Sequence, residues 1–332
     1  MAITFSEGSG LNNSIYGNAQ APIRAVVEQG VENFQEMSAI DKIFYKDTSN
    51  NYAENYTSET SLGDFQDVGE NGAYPVTGMQ EGYSKTIKPT TWKSKFEVTQ
   101  EMMEDAKMGK IKSAASAFTL SYNRGRELFG ASLIAGGIST TATHKGKVYD
   151  TTSADGVALF SQAHPSITGG TVNQSNIFTN AFSISVMDYM QAAMQKFTDD
   201  DGNLLNIAPD TIVIPNSAAL KRTVLEAVGS DLNPTTTTNA VNFQCGLWNV
   251  IVWNYLPTTL ASKPYFLMLD SKFNQDYMCM PWIERVKLEV KSDIDPLTDA
   301  NVWKGRARFG AGFNNWRSIA MCGEGLTGTV LV

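Results

Sequence analysis

The longest regular pattern of hydrophobic residues in the chain predicts a single long helix over residues 108–135. Along this segment apolar side chains recur at steps of three and four positions, a spacing that places them on one face of a helix. At a rise of about 1.5 Å per residue, the helix would be about 42 Å long. Gly136 and Gly137 are expected to end it. The residues predicted to form its buried face include Ile111, Phe118, Tyr122 and Phe129.

An extended, strongly charged segment over residues 50–97 precedes this helix. Turn residues such as Asn71-Gly72 predict a long β-hairpin. Residues 52–84 contain acidic side chains but no Lys or Arg, whereas residues 85–95 contain lysines and no acid. Because a loop of this length is rare inside a compact domain and is usually functional, we expect the hairpin to contact other copies of the protein. The predicted intersubunit contact residues are Glu54, Glu59, Asp64, Asp67, Lys85, Lys88, Lys93 and Lys95.

A simpler interpretation of this segment stays open. The acidic and basic limbs could neutralise each other in one solvated surface hairpin, since exposed ion pairs contribute little stability. The segregation of charge along the chain favours contact with a neighbour.

The remainder of the chain mixes helical and extended patterns without a regular βαβ repeat, which predicts an α+β fold. A helix is expected over residues 22–37 and a loop-rich region over residues 138–176. Helical periodicity returns at 184–197 and after Ser217, which is a candidate N-cap. Strands are predicted at 211–214, 247–255, 265–269, 284–290 and 307–313.

Composition narrows the class of protein. The chain has 332 residues, of which 42% are hydrophobic and 18% charged, so it is globular and long enough for two cores. It contains no apolar run of membrane-spanning length and does not open with a signal-peptide pattern, which predicts a protein kept in the cytoplasm. The three widely spaced cysteines, Cys245, Cys279 and Cys322, indicate buried free thiols rather than a disulfide framework or a zinc site.

Residues suited to catalysis are scarce, so we expect neither an enzyme nor a cofactor or metal site. The only histidines are His144 and His164, each expected to bond to backbone in a loop. Ser161 lacks the Gly-x-Ser-x-Gly context of a nucleophile elbow. The acidic turn at 199–203 lacks the end ligands of an EF-hand loop. The Gly-x-Gly-x-x-Gly letters at 323–328 have no room for the helix that a dinucleotide site requires.

Short motifs in the second half of the chain resemble the Mu-like major head subunits of tailed bacteriophages. In the middle of the chain these are Leu159-Phe160-Ser161, His164-Pro165, Asn173, Asn176, Asp201-Gly202-x-x-Leu205, Pro209 and Ile212-Val213-Ile214-Pro215. Near the C-terminus they are Trp303-Lys304-x-Arg306-x-Arg308-Phe309-Gly310 and Trp316-Arg317. Each motif is short, and their order behind a hairpin and a long helix carries the resemblance.

The resemblance implies a Hong Kong 97-type major capsid fold and a structural subunit of an icosahedral shell around double-stranded DNA. It implies an axial domain and a peripheral domain with a long spine helix. The implied division is an N-terminal arm over 1–49, an extended loop over 50–97, a peripheral domain over 98–182 and 284–312 with spine helix 108–135, and an axial domain over 183–283 and 313–332.

The implied partners are other copies of the chain, in hexamers and pentamers. A portal protein at one vertex and a possible decoration protein are also implied, and no membrane is involved. Because the chain opens at the arm, we expect a separate scaffolding protein. The subunits would assemble in the bacterial host cytoplasm and reside in the virion capsid.

Contact with packaged DNA is expected to be weak and non-specific, because the net charge is −8 and the pI about 4.9. Candidate basic residues for this contact are Arg24, Lys107, Lys110 and Lys112. Two other functions stay open: an encapsulin-like cellular compartment, and a cytoplasmic hydrolase that uses buried carboxylates.

Overall fold

The computed structural model of the chain describes most of its residues. Arg24, Asp64 and Lys107, with the predicted N-terminal arm up to residue 24, lie outside the described part. The described residues are 25–34, 38–59, 67–70, 72–74, 76, 81–105, 108–167, 173–232 and 241–331.

Within the described residues the chain forms seven α-helices and a short 3-10 helix at Trp316–Ser318. Two N-caps follow the expected chemistry: the Thr99 hydroxyl accepts a hydrogen bond from the Met102 N–H, and the Ser183 hydroxyl accepts one from the Val186 N–H. Ser217 makes no side-chain capping bond. The helices are α1 (25–34), α2 (Ile40–Ile43), α3 (Gln100–Glu104), α4 (Met108–Gly136), α5 (Ile184–Gln195), α6 (Ala218–Gly229) and α7 (Ser271–Asp276).

The same part of the chain contains thirteen strands. They are β1 (Tyr45–Thr48), β2 (Glu54–Glu59), β3 (Glu81–Ile87), β4 (Thr90–Val98), β5 (Thr141–His144), β6 (Lys147–Asp150), β7 (Ile177–Phe178), β8 (Thr211–Pro215), β9 (Asn249–Trp253), β10 (Tyr265–Leu269), β11 (Pro281–Ile294), β12 (Asn301–Ala311) and β13 (Ile319–Gly323).

The strands divide into two larger sheets and two hairpins. One sheet has four strands in the order β1-β11-β12-β4, and the other has five in the order β7-β13-β10-β8-β9. Every residue of β8 and β10 is buried, which explains their continuous apolar sequences. The β2–β3 and β5–β6 pairs are separate antiparallel hairpins.

Helix α4 contributes to two separate hydrophobic clusters. Ile111 and Phe118, near its start, pack in a small cluster with Trp303 of β12. Phe129 and Leu133, near its end, belong to the large core, which combines residues of the five-stranded sheet with Trp282 and Phe309 of the four-stranded sheet. The helix therefore takes part in both hydrophobic clusters.

The structure corrects the prediction that residues 50–97 form one long β-hairpin with an acidic and a basic limb. The extended chain breaks at Lys88-Pro89, and β4 pairs with β12 instead of with the acidic limb. Proline lacks the N–H that a continuous ladder needs. Burial of aromatic rings favours the new partner, because Trp92 stacks on Phe309 and Phe96 stacks on Trp303.

Candidate functional site

The described residues offer little for catalysis or metal binding. Among them no group of three or more His, Cys, Asp or Glu side chains is arranged to hold a metal ion. In the part of the chain that the structure covers, no helix is both long enough and apolar enough to cross a membrane.

The ring of His164 was predicted to bond to backbone. Instead, both of its nitrogens contact side chains in a buried network. Its Nδ1 lies 2.6 Å from Asp155 Oδ2 and its Nε2 lies 3.1 Å from Asn176 Oδ1. The orientation of the Asn176 amide is fixed, because its Nδ2 donates to the carbonyl oxygens of Leu159 and Ile319 while its Oδ1 accepts from the Ser161 N–H. A ring that donates from both nitrogens satisfies both acceptors.

This network is structural rather than catalytic. The His164 side chain has no exposed surface and its ring stacks on Trp316, with centroids 4.1 Å apart. Burial raises the pKa of Asp155, but the hydrogen bond and charge of His164, with donors from Ser153 and the Val157 N–H, more than offset this, so the net pKa lies below its ordinary value. No substrate could reach either ring nitrogen.

The second histidine lies in strand β5, not in a loop. His144 is buried with its ring edge-on to Trp92 and Phe129. Burial, and to a smaller degree the charge of Lys145, lowers the pKa of His144. We therefore interpret His144 as a packing residue between the rings of Trp92 and Phe129.

The acidic turn at residues 199–203 closes on itself, as its sequence suggested. The Asp199 carboxylate accepts hydrogen bonds from the N–H groups of Asp201 and Asn203. Asp200 pairs with Arg317 at 3.1 Å. The carboxylates of Asp199 and Asp200 are therefore both engaged by donors within the protein.

The predicted contact residues of the acidic limb occupy different environments. Glu54 accepts hydrogen bonds from Ser49 and from Asn51, and the Ser49 bond is the larger cause of its lowered pKa. Glu59 ends β2 directly opposite Glu81 of β3. Asp67 is exposed.

The predicted basic residues also separate into two groups. Lys85 is buried, and its ammonium donates to Asp150 at 2.5 Å and to Thr152 at 2.6 Å. Lys88 lies over the ring of Tyr52. Lys93 and Lys95 belong to β4 and are exposed on the four-stranded sheet. An intersubunit role for these residues stays a prediction, although Lys85 is already paired within its own chain.

The predicted face of the long helix lies against the rest of the molecule. Ile111, Phe118 and Phe129 are buried, and Tyr122 is half-buried. Phe118 packs its ring 5.2 Å from the ring of Phe96.

Sequence reasoning missed a set of basic residues on β11 and β12. Lys304 lies directly opposite Lys95 on one side and Lys291 on the other. Arg306 lies opposite Lys93 and Glu289 in the same way. The alternation Lys304-x-Arg306 was visible in the sequence, but only the strand register brings these residues together. These charged residues, together with Ser94 and Gly305, line an open groove of about 460 Å³.

Comparison with known proteins agrees with this architecture. Residues 82–322 match the family described as phage capsid protein. A search of curated protein sequences gave no match. The acid-stable capsid of Helicobacter pylori bacteriophage KHP30 is similar in structure, with 10% sequence identity, a TM-score of 0.53, and coverage of 88% of this chain and 90% of that one.

Two further solved structures are similar at comparable levels. The Microbacterium phage Oxtober96 structure has 11% identity and a TM-score of 0.51, with 88% of this chain and 91% of that chain covered. A virus-like particle from Pyrococcus furiosus has 10% identity and a TM-score of 0.50, with 91% and 98% covered. At such identities the similarity shows the fold alone, which is the α+β Hong Kong 97-type capsid fold. Since the family match spans more than two thirds of the sequence, the chain belongs to the phage capsid protein family.

Proposed function

We propose that this structural, non-enzymatic capsid protein forms the icosahedral head shell of a tailed phage by assembling into hexamers and pentamers around double-stranded DNA. The family match over residues 82–322 carries this proposal. The buried His164 network supports a structural role, because the one histidine–carboxylate pair among the described residues is enclosed by protein.

The division of the subunit into domains that the sequence resemblance implies is part of the proposal. We assign the peripheral domain to residues 98–182 and 284–312, with α4 as its spine helix, and the axial domain to residues 183–283 and 313–332. Within the extended loop over residues 50–97, the β2–β3 hairpin forms a separate two-stranded sheet, whereas β4 belongs to the four-stranded sheet. The exposed charged residues of the hairpin, with the basic residues of β4, are the proposed contacts between subunits.

The other proposed partners act during assembly or on the finished shell. A scaffolding protein would guide its curvature, a portal protein would occupy one vertex, and a decoration protein could bind outside. Contact with DNA would be weak, because the chain carries a net charge of −8.

Expression of the protein alone and with the scaffolding protein encoded beside its gene tests the proposal. Negative-stain electron microscopy and size-exclusion chromatography should show closed shells, or hexamers and pentamers that close when scaffold is present. A stable small oligomer under both conditions would contradict the proposal, and turnover of a substrate would favour the hydrolase alternative.

A further inference from the structure

A cavity of about 170 Å³ lies between helix α4 and the four-stranded sheet. Small residues border it on both sides: Ser94, Gly305 and Ala307 belong to the sheet, and Ser121 and Gly125 belong to the helix. Its volume is close to the roughly 150 Å³ of an engineered apolar cavity that binds benzene. The cavity can therefore hold one aromatic ring with a short substituent.

Aromatic rings form much of the cavity wall. Trp92 and Phe309 stack on each other within the sheet, with ring centroids 5.1 Å apart. Phe118 and Tyr122 line the cavity from the helix. Aromatic rings prefer offset-stacked or edge-to-face contacts with other rings. A planar aromatic ligand would therefore gain contacts here that an aliphatic ligand of the same size lacks.

Gly125 leaves space open in the middle of the helix. Glycine is among the least favourable residues in a helix interior, yet a Cβ atom at this position would enter open space. Close packing therefore does not explain Gly125, in contrast to Gly305, where a Cβ atom would overlap Phe118. Gly125 borders the cavity four residues after Ser121 on the same helix face, so a larger side chain would extend into the cavity.

An ammonium group is placed at the edge of the cavity. Lys145 borders it from the turn between β5 and β6 and is exposed. Among the described residues Lys145 has no ion pair, and none of those that line the cavity is an acid. Lys93 also borders the cavity, but successive side chains of a strand point to opposite faces, and its neighbours Trp92 and Ser94 lie on the cavity side. The cation available to a negatively charged ligand is therefore Lys145.

The backbone conformation of Lys145 is unfavourable for a lysine. Its φ of 48° lies in the left-handed region, and Gly146 follows with a φ of 77°. Two-residue hairpin turns with both φ angles positive strongly prefer Asn, Asp or Gly at the first position. Unfavourable backbone conformations concentrate at ligand-binding and active sites. The choice of lysine at this position therefore supports a role for its ammonium group at the cavity edge.

We propose that this cavity binds a small planar aromatic carboxylate, with the ring between α4 and the sheet and the carboxylate paired with Lys145. The hydroxyl groups of Ser94 and Ser121 make no hydrogen bond within the described residues and line the same cavity, so they offer further hydrogen-bonding groups to the ligand. The site belongs to the folded subunit, and its occupation does not depend on the formation of a shell.

Titration of the full chain with benzoate, followed by saturation-transfer NMR, tests the proposal. Benzoate should bind with a dissociation constant of about 1 mM or below, which is reasonable for a ligand of about nine non-hydrogen atoms. Benzylamine should bind several-fold more weakly, because it places a second cation beside Lys145. Cyclohexanecarboxylate should also bind several-fold more weakly, because it lacks the flat ring that the aromatic wall favours.

Two pairs of variants locate the site. Gly125→Leu should abolish benzoate binding by occupying the cavity, whereas Gly109→Leu, at an exposed glycine of the same helix with equally open surroundings, should leave the affinity unchanged. Lys145→Asn should weaken binding several-fold and raise the melting temperature of the free protein, since Asn tolerates the left-handed conformation better than Lys. Lys147→Asn removes the same charge from the same hairpin and should keep the wild-type affinity.

Several outcomes would overturn the proposal. If the wild-type chain does not bind benzoate, or binds benzylamine or cyclohexanecarboxylate equally well, the cavity is not a site for an aromatic carboxylate. Undiminished binding to Gly125→Leu would place the ligand elsewhere on the protein. A lower melting temperature for Lys145→Asn would show that the lysine stabilises the turn instead of serving a ligand. None of these measurements depends on assembly, so their failure would leave the proposed shell function untouched.

Discussion

Phe118 of α4 occupies the space that the missing side chain of Gly305 leaves on β12. A Cβ atom placed on Gly305 would overlap the end of the Phe118 ring. The glycine on the sheet and the aromatic ring on the helix thus depend on each other, and this contact fixes how closely the long helix approaches the four-stranded sheet.

Gly305→Ala should destabilise the subunit by about 1–3 kcal/mol, because the added methyl group overpacks a filled site. Chemical denaturation of soluble subunits measures this loss. Gly125→Ala is the matched control, since its Cβ position meets open space, and replacing a helical glycine there should stabilise by about 0.5–1 kcal/mol. In a Phe118→Leu background the cost of Gly305→Ala should shrink, and an unchanged cost would show that the ring is not what excludes the methyl group.

Phe118→Ala should cost about 3–5 kcal/mol, since it removes a buried aromatic side chain from the small cluster around Trp303. Leu120→Ala on the same helix should change stability by less than about 0.5 kcal/mol, because Leu120 is 56% exposed. Thermal melts of the two variants compare the faces directly. Equal effects would mean that the buried face of the helix has been misassigned.

Lys85→Ala should destabilise the monomer by about 1–2 kcal/mol, because a buried ammonium leaves its partners on Asp150 and Thr152. Lys88→Ala should have little effect on the monomer, since Lys88 only lies over Tyr52. Denaturation midpoints of the two variants, measured at protein concentrations too low for assembly, compare their effects on monomer stability. If Lys85→Ala changes assembly but not monomer stability, the buried pair does not anchor the hairpin.

Asp155→Asn should weaken the subunit by about 3 kcal/mol near neutral pH, because it breaks a buried pair with His164. The net pKa of Asp155 lies below its ordinary value, so its stabilising contribution is present above about pH 4 and is lost as the pH falls through the folded-state pKa. The difference in free energy of unfolding between wild type and variant should therefore become smaller below about pH 4. Exposed Asp201→Asn is the control, and a gap that is constant with pH would contradict the assigned ionisation.

In the native subunit only the thiol of Cys245 should react with a disulfide reagent, and slowly, whereas all three thiols should react after unfolding. Burial raises the pKa of Cys322 to about 11 and that of Cys279 still further, whereas Cys245 is partly exposed. A hydrogen bond to Asp231 raises the pKa of Cys245, so Asp231→Asn should speed its reaction with a disulfide reagent several-fold at pH 8. Rapid native reaction of all three would show that the cores around Cys279 and Cys322 open readily.

Local patterns along the sequence predicted much of the fold. The periodicity that predicted a helix over 108–135 corresponds to α4 at Met108–Gly136, because a long amphipathic stripe has few alternative structures. The short buried strands β8 and β10 lie close to their predicted positions for the same reason. Strand β11 continues to Ile294, beyond its predicted end, through exposed residues that carry no strong strand signal. Strand β12 begins at Asn301, before its predicted start, and ends at Ala311.

The candidate contact surface was less accessible to sequence reasoning. The sign change between residues 84 and 85 suggested two limbs of one hairpin, but Pro89 and the rings of Trp92 and Phe96 direct β4 to a different sheet. Which lysines stand together depends on the register of β4 with β12 and of β12 with β11, and β4 lies about 200 positions before the other two strands in the chain. A single sequence does not encode that register in any local pattern.

One continuous helix reaches both hydrophobic clusters of the subunit. Helix α4 is embedded near its start in the cluster around Trp303 and near its end in the large core, so a force on one cluster reaches the other along the backbone hydrogen bonds of the helix. Strand β12 also belongs to both clusters, through Trp303 and Phe309, and the contact of Phe118 with Gly305 ties the helix to this strand. In a container that holds its contents under outward pressure, such a strut would let each subunit strain as a unit rather than yield at an internal seam.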